Sequence, residues 1–125
     1  MSNTVQQQIL RLEREQAGAI NRGDLRGAIQ MFDRAFVGFS STRHERIRGL
    51  DALAKTFEYY LTGAPSMTYR IQRPHVQVSS GVAVATFFWT VVLGRGHPIL
   101  GRGTHVFVRK QKNWRVIHEH FSRFR

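Results

Sequence analysis

The sequence is poor in several features that would support particular functions. It contains no cysteine, which excludes disulfide bonds, cysteine-ligated zinc and thiol catalysis. Its longest uncharged apolar run, Val82 to Leu93, is shorter than the ~20 residues that a membrane span requires. Residues 1–10 are polar and lack the basic-then-apolar order of a signal peptide. We therefore expect a cytoplasmic protein that does not enter a membrane.

Acidic residues are also scarce. The chain has 19 Lys and Arg against 8 Asp and Glu, which gives a net charge of +11 and a pI near 11.5. No acidic residue lies between Glu58 and Glu119. A surface of one sign attracts anions, so nucleic acid, acidic partners and anionic ligands are alternatives to a plain solvated basic surface. Nucleic acid is the least favoured of them, because the basic residues are not interleaved with exposed aromatic residues.

The remaining composition is that of a folded protein. Hydrophobic residues make up 42% of the 125 residues, which is too apolar for a disordered chain. The length predicts one domain over residues 1–125.

Helical periodicity dominates the first half of the chain. A capping box of Thr4 and Gln7 begins a first helix, residues 21–23 end it, and Asp24 caps a second, shorter helix. A third helix begins at Gly49 and ends at Gly63 and Pro65. The apolar faces of the three helices are Val5, Ile9, Leu12, Gln16 and Ile20; Leu25, Ala28, Ile29 and Phe32; and Leu50, Leu53, Ala54, Phe57, Tyr60 and Leu61. Between the second and third helices, Phe36–Phe39 is a short predicted strand and Ser40–Arg48 a loop or weak edge strand.

After Pro65 the period changes from 3.6 to 2, which indicates strands. Four long strands are predicted over Met67–Val78 with a kink at Pro74, Val82–Leu93, Ile99–Arg109 and Trp114–Phe124. Helices followed by antiparallel strands predict an α+β fold in which the helices pack on one face of the sheet. Glycines near the strand ends allow strong bending, so we expect a cone-shaped α+β barrel with a hollow interior.

Several segments resemble one protein superfamily over nearly the whole chain. Residues 21–24 and 49–51 resemble the nuclear-transport-factor-two-like superfamily. Residues 73–76, 103–106 and above all 114–122 (Trp-Arg-Val-Ile-His-Glu-His-Phe-Ser) are similar to SnoaL-like proteins and to the association domain of calcium/calmodulin-dependent protein kinase II. The resemblance implies the cone fold. It does not imply one activity, because the superfamily holds isomerases, cyclases, dehydratases, epoxide hydrolases, transport factors and oligomerisation hubs.

The sequence departs from the association domains where their ligand pocket is expected. The resemblance implies inward-facing arginines there, and our alignment of the strands places Trp89, His105 and Phe121 at those positions. We therefore expect a more apolar and aromatic pocket and no capture of carboxylates by arginine. The resemblance implies a homodimer through the sheet faces rather than a large ring.

Glu119 and His105 are the candidate catalytic residues. Strand alternation places Trp114, Val116, His118, His120 and Ser122 on one face of the last strand, and Arg115, Ile117, Glu119 and Phe121 on the other. The strand pairing directs His105 and Phe121, and with them Glu119, toward the hollow. A Glu–His pair there can remove a proton from carbon or activate water. The alternative is a structural glutamate that His105, Arg102 or Arg115 neutralises.

Other side chains have weaker claims to a role. His118 and His120 point the same way and suit a metal, but no third ligand is evident, so hydrogen bonding in the sheet or at a dimer contact is favoured. Either Tyr59 or Tyr60 can supply a hydroxyl to an oxyanion. The predicted ligand-binding residues are Phe32, Phe39, Leu53, Phe57, Tyr60, Trp89 and Phe121. Trp89 lies on the most buried predicted strand, where an aromatic residue is more typical of core packing than of a ligand-binding surface.

The sequence thus favours a protein that binds an apolar or aromatic small molecule. Any reaction is expected to be acid–base chemistry of the isomerase, cyclase or hydrolase type, without metal or cofactor. The alternative is a non-catalytic oligomerisation or protein-binding module.

Overall fold

The computed structural model describes residues 4–62 and 66–124. These residues form three helices and six strands: α1 (Val5–Asn21), α2 (Leu25–Ile29), β1 (Phe32–Phe39), β2 (Ile47–Arg48), α3 (Gly49–Thr62), β3 (Met67–Ser79), β4 (Val82–Leu93), β5 (Ile99–Lys110) and β6 (Asn113–Arg123). The strands form one curved sheet in the order β2-β1-β6-β5-β4-β3, and the helices pack on one face of it. All pairs are antiparallel except β1 with β6. The predicted α+β class is confirmed.

The helix ends follow the local sequence. At the start of α1, the amide of Gln7 donates to the Thr4 hydroxyl (3.1 Å) and the Thr4 amide donates to the Gln7 side chain (3.0 Å). Gly23 adopts a left-handed φ of 71° directly after α1, where other residues would be strained. The Asp24 carboxylate then accepts from the Gly27 amide and caps α2. These three predictions are confirmed, whereas the predicted stop of α3 at Gly63 and Pro65 lies outside the described residues.

The first strand is longer than the sequence pattern predicts. It begins at Phe32, which we had placed on the face of the second helix, rather than at Phe36. The chain leaves the helical conformation after α2 because β6 offers a partner: Phe32 lies opposite Val116, and the Phe32 carbonyl accepts a hydrogen bond from the Arg115 guanidinium (2.8 Å). Long-range pairing here outweighs the local helical period. The weak edge strand expected within Ser40–Arg48 is present as the short β2.

A β-bulge in β6 corrects the predicted faces of that strand. His118 lies opposite Val106, but Phe107 lies opposite Val116, so Ile117 is an extra residue in the pairing. The bulge reverses the alternation, and Val116 shares a face with Glu119. Strict alternation, which placed these two residues on opposite faces, was wrong across Ile117. A second irregularity lies between Gln72 and His75 in β3, at the kink predicted for Pro74.

Two glycines of β5 leave room for aromatic rings of the neighbouring strands to lie close to the β5 backbone. A Cβ on Gly101 would come within 2.2 Å of the Trp89 ring and 2.1 Å of the Ser122 carbonyl oxygen. A Cβ on Gly103 would meet the rings of Phe87 and Phe121 at 2.6 and 3.0 Å. The absence of these side chains allows Trp89 and Phe121 to stack with ring centres 5.8 Å apart on the concave face.

Candidate functional site

A cavity of about 160 Å³ lies between α3 and the concave face of the sheet. Its aromatic wall includes Phe57, Tyr60, Trp89 and Phe121, and aliphatic side chains complete most of the surface. The described residues that line it are Gln16, Ile20, Ser40, Ser41, Thr42, Ile47, Leu53, Thr56, Phe57, Tyr60, Met67, Tyr69, Trp89, Val91, Leu93, Ile99, Glu119, Phe121 and Arg123. A cavity of this size accommodates a ligand of about one aromatic ring.

The structure separates the predicted ligand-binding residues into two groups. Leu53, Phe57, Tyr60, Trp89 and Phe121 line the cavity. Phe32 lies instead in the core, edge-on to Phe36 and to His105. Phe39 packs beside His120, with the Arg46 guanidinium 5.0 Å from its ring centre. Neither Phe32 nor Phe39 lines the cavity, because β1 lies beyond β6 in the sheet. Both residues pack in the structure around it.

The two candidate tyrosines of α3 face in different directions. Tyr59 is 75% exposed, whereas Tyr60 lines the cavity. The Tyr60 hydroxyl is hydrogen bonded to the hydroxyls of Thr42 and Ser40. Of the two, Tyr60 is the one that can contact a ligand.

Glu119 and His105 meet in the interior as part of a larger cluster. His105 Nε2 lies 2.6 Å from Glu119 Oε1, and His105 Nδ1 lies 2.6 Å from Glu13 Oε2. His105 is fully buried, while Glu13 and Glu119 are 1% and 6% exposed. We call Glu13, His105 and Glu119 the buried triad. Only Glu119 of the triad lines the cavity, and His105 lies behind it.

The two carboxylates keep His105 protonated. Burial by itself lowers the pKa of His105, but the charges of Glu13 and Glu119 and their hydrogen bonds outweigh burial and raise it to about 10. Both ring nitrogens are therefore donors, one to each carboxylate. Arg102 and Arg115, the other predicted partners of Glu119, are engaged elsewhere, over the Phe124 ring and with the Phe32 carbonyl.

Three elements position the triad. His105 lies directly opposite Glu119 in the pairing of β5 with β6, which places the two side chains on one face of the sheet. Glu13 comes from the buried side of α1, one helical turn from Ile9 and Gln16. The sequence analysis missed Glu13, although it had a signal: an acidic residue at helical spacing between Ile9, Gln16 and Ile20 is on a face that must be buried.

Gln16 and Tyr69 add polar groups beside Glu119. Both are buried and line the cavity. Asn21 fixes the backbone of Tyr69, since its side chain accepts from the Tyr69 amide (2.7 Å) and donates to the Tyr69 carbonyl (2.9 Å). Burial and the nearby charges of Glu13 and Glu119 raise the pKa of Tyr69 well above its usual value, so its hydroxyl keeps its proton. The sequence analysis named Tyr59 and Tyr60 but not Tyr69.

The histidines of β6 take separate environments. His118 is half-buried opposite Val106, and His120 is exposed with its ring 5.4 Å from that of Phe39. Within residues 4–62 and 66–124, no group of three or more His, Asp or Glu side chains is arranged to hold a metal. No helix in the described part of the chain is long and apolar enough to span a bilayer.

Some surface arginines cover aromatic rings. The guanidinium carbon of Arg73 lies 4.2 Å from the centre of the Phe88 ring, and that of Arg102 lies 4.6 Å from the Phe124 ring. The sequence pattern had suggested no such interleaving, because these partners are distant along the chain.

Solved structures with the same fold cover nearly all of the chain. An NTF2-like protein of unknown function from Pseudomonas putida has a TM-score of 0.89 at 22% identity, covering 98% of this chain and 88% of its own. A provisionally assigned calcium/calmodulin-dependent protein kinase II association domain from Xanthomonas campestris has a TM-score of 0.84 at 18% identity, with coverages of 98% and 89%. A provisionally assigned ketosteroid isomerase from Parabacteroides distasonis has a TM-score of 0.80 at 23% identity, with coverages of 98% and 90%. At these identities the likeness shows the fold alone.

The sequence itself identifies the family. The comparison with curated proteins finds no match. The family model for the SnoaL-like domain matches residues 9–125, which include all three members of the buried triad. The chain therefore belongs to the SnoaL-like family of the NTF2-like superfamily.

Proposed function

We propose that this protein binds an apolar or aromatic small molecule and transfers a proton on it, with Glu119 as the base. The observation that carries the proposal is the position of Glu119. It is the acidic residue among the described cavity-lining residues, it is buried in the wall of a mostly apolar cavity, and it is held there by His105. A base must be fixed within hydrogen-bond distance of the proton it removes, and burial strengthens its electrostatic interaction with a substrate.

His105 acts through Glu119 in this proposal. It lies outside the cavity lining and both of its ring nitrogens are engaged, so it orients the carboxylate and offsets its charge without touching the ligand. We therefore propose His105 as a positioning residue rather than as the catalytic partner that the sequence suggested. Acid–base chemistry of this kind needs no cofactor, and it is the chemistry shared by isomerases, cyclases and some hydrolases. The fold likeness to a provisionally assigned ketosteroid isomerase is consistent with it.

A ligand screen tests binding. Small ketones, phenols and aromatic compounds are screened by thermal denaturation, and a ligand at about 100 times its Kd is expected to add about 2.7 kcal/mol of stability. In a domain of this size that raises Tm by on the order of 10 °C. The variant Leu53→Trp, which fills the cavity with an indole ring, is expected to lose the shift. No shift with any apolar compound would contradict the proposal.

Proton transfer is tested with the ketones that bind. Each is incubated with the protein in deuterated water, and NMR measures exchange of the hydrogens beside the carbonyl. Glu119→Gln keeps the shape of the side chain but removes the base, so exchange is expected to slow by about 100-fold or more. Glu58→Gln, the same change at an exposed residue of α3, is the matched control and is expected to exchange at the wild-type rate. Equal rates in Glu119→Gln and wild type would contradict the role of Glu119.

The convex face of the sheet favours a homodimer as the second part of the proposal. Val82 lies opposite Val108 and Val84 opposite Val106, and all four valines are half-buried on the face away from the helices. A second copy of the chain would cover this apolar face.

The alternative function, an oligomerisation module, is supported by the fold likeness to a provisional kinase association domain. Light scattering separates the two functions. A dimer agrees with the ligand-binding protein, and a larger closed particle agrees with the oligomerisation module.

A further inference from the structure

The buried end of the cavity has more hydrogen-bond acceptors than donors. Gln16 Oε1 and the Tyr69 hydroxyl oxygen belong to lining residues, are buried and have no hydrogen-bond partner among the described residues. Glu13 Oε1 is likewise buried and unpartnered but does not belong to the cavity lining. Gln16 Oε1 accepts only, and Glu119 adds the oxygen that His105 does not engage. A buried polar atom without a partner costs about 1–3 kcal/mol, so a group that satisfies these atoms is stabilised there.

The orientation of the Gln16 amide follows from its other contact. Its nitrogen donates to the carbonyl oxygen of Ala28 (3.2 Å), a bond that only the NH₂ end of the amide can make. The oxygen is therefore the atom that Gln16 presents to the cavity. Two other potential donors on the wall are already used, since the Trp89 indole N–H donates to the Arg102 carbonyl (2.9 Å) and the Tyr60 hydroxyl is bonded to Thr42. The Tyr69 hydroxyl is a donor that is buried and without a partner among the described residues.

The net charge at this end is negative, and it favours a hydrogen-bond donor just as the unpartnered acceptors do. Two carboxylates, Glu13 and Glu119, face one imidazolium, His105, so the buried triad carries an excess of negative charge. The cation of the wall, Arg123, lies far from it. Arg123 is opposite Gly101 while Glu119 is opposite His105, a separation of four residues or about 13 Å along the strands. Arg123 is exposed, so solvent screens its charge.

We infer that the cavity takes an apolar ligand whose buried end is a hydrogen-bond donor, with a protonated amine as the preferred group. The inference rests on the proposed function and specifies its ligand class. Gln16 Oε1 and Glu119 accept from the donor, and the stacked rings of Trp89 and Phe121 line the cavity for the apolar part of the ligand.

A matched series of one-ring compounds tests the inference. Benzylamine, benzyl alcohol, toluene and benzoate share a ring that fits the cavity volume, and differ in the group that reaches its buried end. Binding to the whole chain is measured by NMR titration at pH 7. Benzylamine is expected to bind at least tenfold more tightly than toluene, benzyl alcohol to lie between them, and benzoate to bind no better than toluene.

Variants assign the preference to its residues. Glu119→Gln is expected to abolish the advantage of benzylamine over benzyl alcohol while toluene still binds. Gln16→Leu, which removes the second acceptor, is expected to reduce that advantage, and Glu58→Gln at the surface is expected to leave it unchanged. Retention of toluene binding in each variant shows that the cavity is still formed.

The outcomes separate the inference from the proposed function. Equal binding of the four compounds would overturn the donor preference and leave a cavity that binds apolar molecules. Tighter binding of benzoate would also overturn it, and would assign recognition to Arg123. If no compound of the series binds, both the inference and the proposed ligand-binding function are wrong.

Discussion

Replacing His105 with glutamine is expected to lower the free energy of unfolding by about 3–5 kcal/mol, the cost of leaving a buried ion pair without one partner. The imidazolium is the charge between Glu13 and Glu119, and both carboxylates are almost fully buried. A neutral amide leaves two like charges facing each other in a medium of low polarity, where their repulsion is large. The loss of the ring adds the smaller cost of a packing defect beside Phe32 and Phe87.

Chemical denaturation measures this effect, and thermal denaturation is expected to show a drop in Tm of roughly 10–20 °C. His97→Gln is the matched control, because His97 is exposed in the turn between β4 and β5 and should change stability by less than about 0.5 kcal/mol. Adding Glu13→Gln and Glu119→Gln to His105→Gln removes the uncompensated charges and is expected to recover part of the loss. A loss below about 1 kcal/mol for His105→Gln would show that the triad is not a buried ion cluster.

The second large effect is on the pH dependence of stability. The pKa of His105 is raised from 6.5 to about 10 in the folded protein. Its contribution to stability is therefore complete below pH 6.5, decreases as the pH rises, and is lost above about pH 10. Within this window the unfolded chain has lost the proton and the folded protein retains it. The free energy of unfolding is expected to fall by about 1.4 kcal/mol per pH unit, or about 5 kcal/mol in total.

Urea denaturation between pH 6 and pH 10.5 gives this slope directly. The wild-type curve is compared with that of His105→Gln, which lacks the titrating group, and with that of His97→Gln, which keeps it. The difference between wild type and His105→Gln isolates the contribution of His105 from that of the lysines and other tyrosines. Parallel curves for these two proteins would contradict a protonated His105 in the folded state.

The sequence predicts the helix and strand boundaries correctly where residues close in sequence determine them, and less well where distant strand pairing does. The capping box at Thr4, the glycine after α1 and the cap at Asp24 are local features and all are confirmed. The start of β1 at Phe32 was missed because it depends on pairing with β6, more than 80 residues away along the chain. The bulge at Ile117 was missed for the same reason, since only the partner strand shows which residue is extra.

The candidate site divides in the same way. Strand alternation and pairing suffice to bring His105 and Glu119 together, because both lie on adjacent strands with one turn between them. Glu13 was missed because it reaches the cluster from α1. The 3.6-residue period of a helix and the two-residue period of a strand each predict a buried face, but neither shows which helix residue meets which strand residue. Tyr69 was also missed. Strand alternation places it on the inward face of β3, where it is buried, but an apolar core residue fits the same pattern, so the alternation does not indicate a role for its hydroxyl. Phe39 was assigned to the cavity from its hydrophobicity, which does not distinguish a cavity wall from the packing around it.

The most direct test of the account is the protonation of His105 itself. Nitrogen-15 NMR of the imidazole side chains distinguishes a ring protonated on both nitrogens from a neutral ring, and His105→Gln assigns the signal. We predict that His105 carries protons on both nitrogens at pH 7 and loses one only near pH 10. A His105 that is neutral at pH 7 would contradict the buried carboxylate–imidazolium–carboxylate cluster on which the proposed site depends.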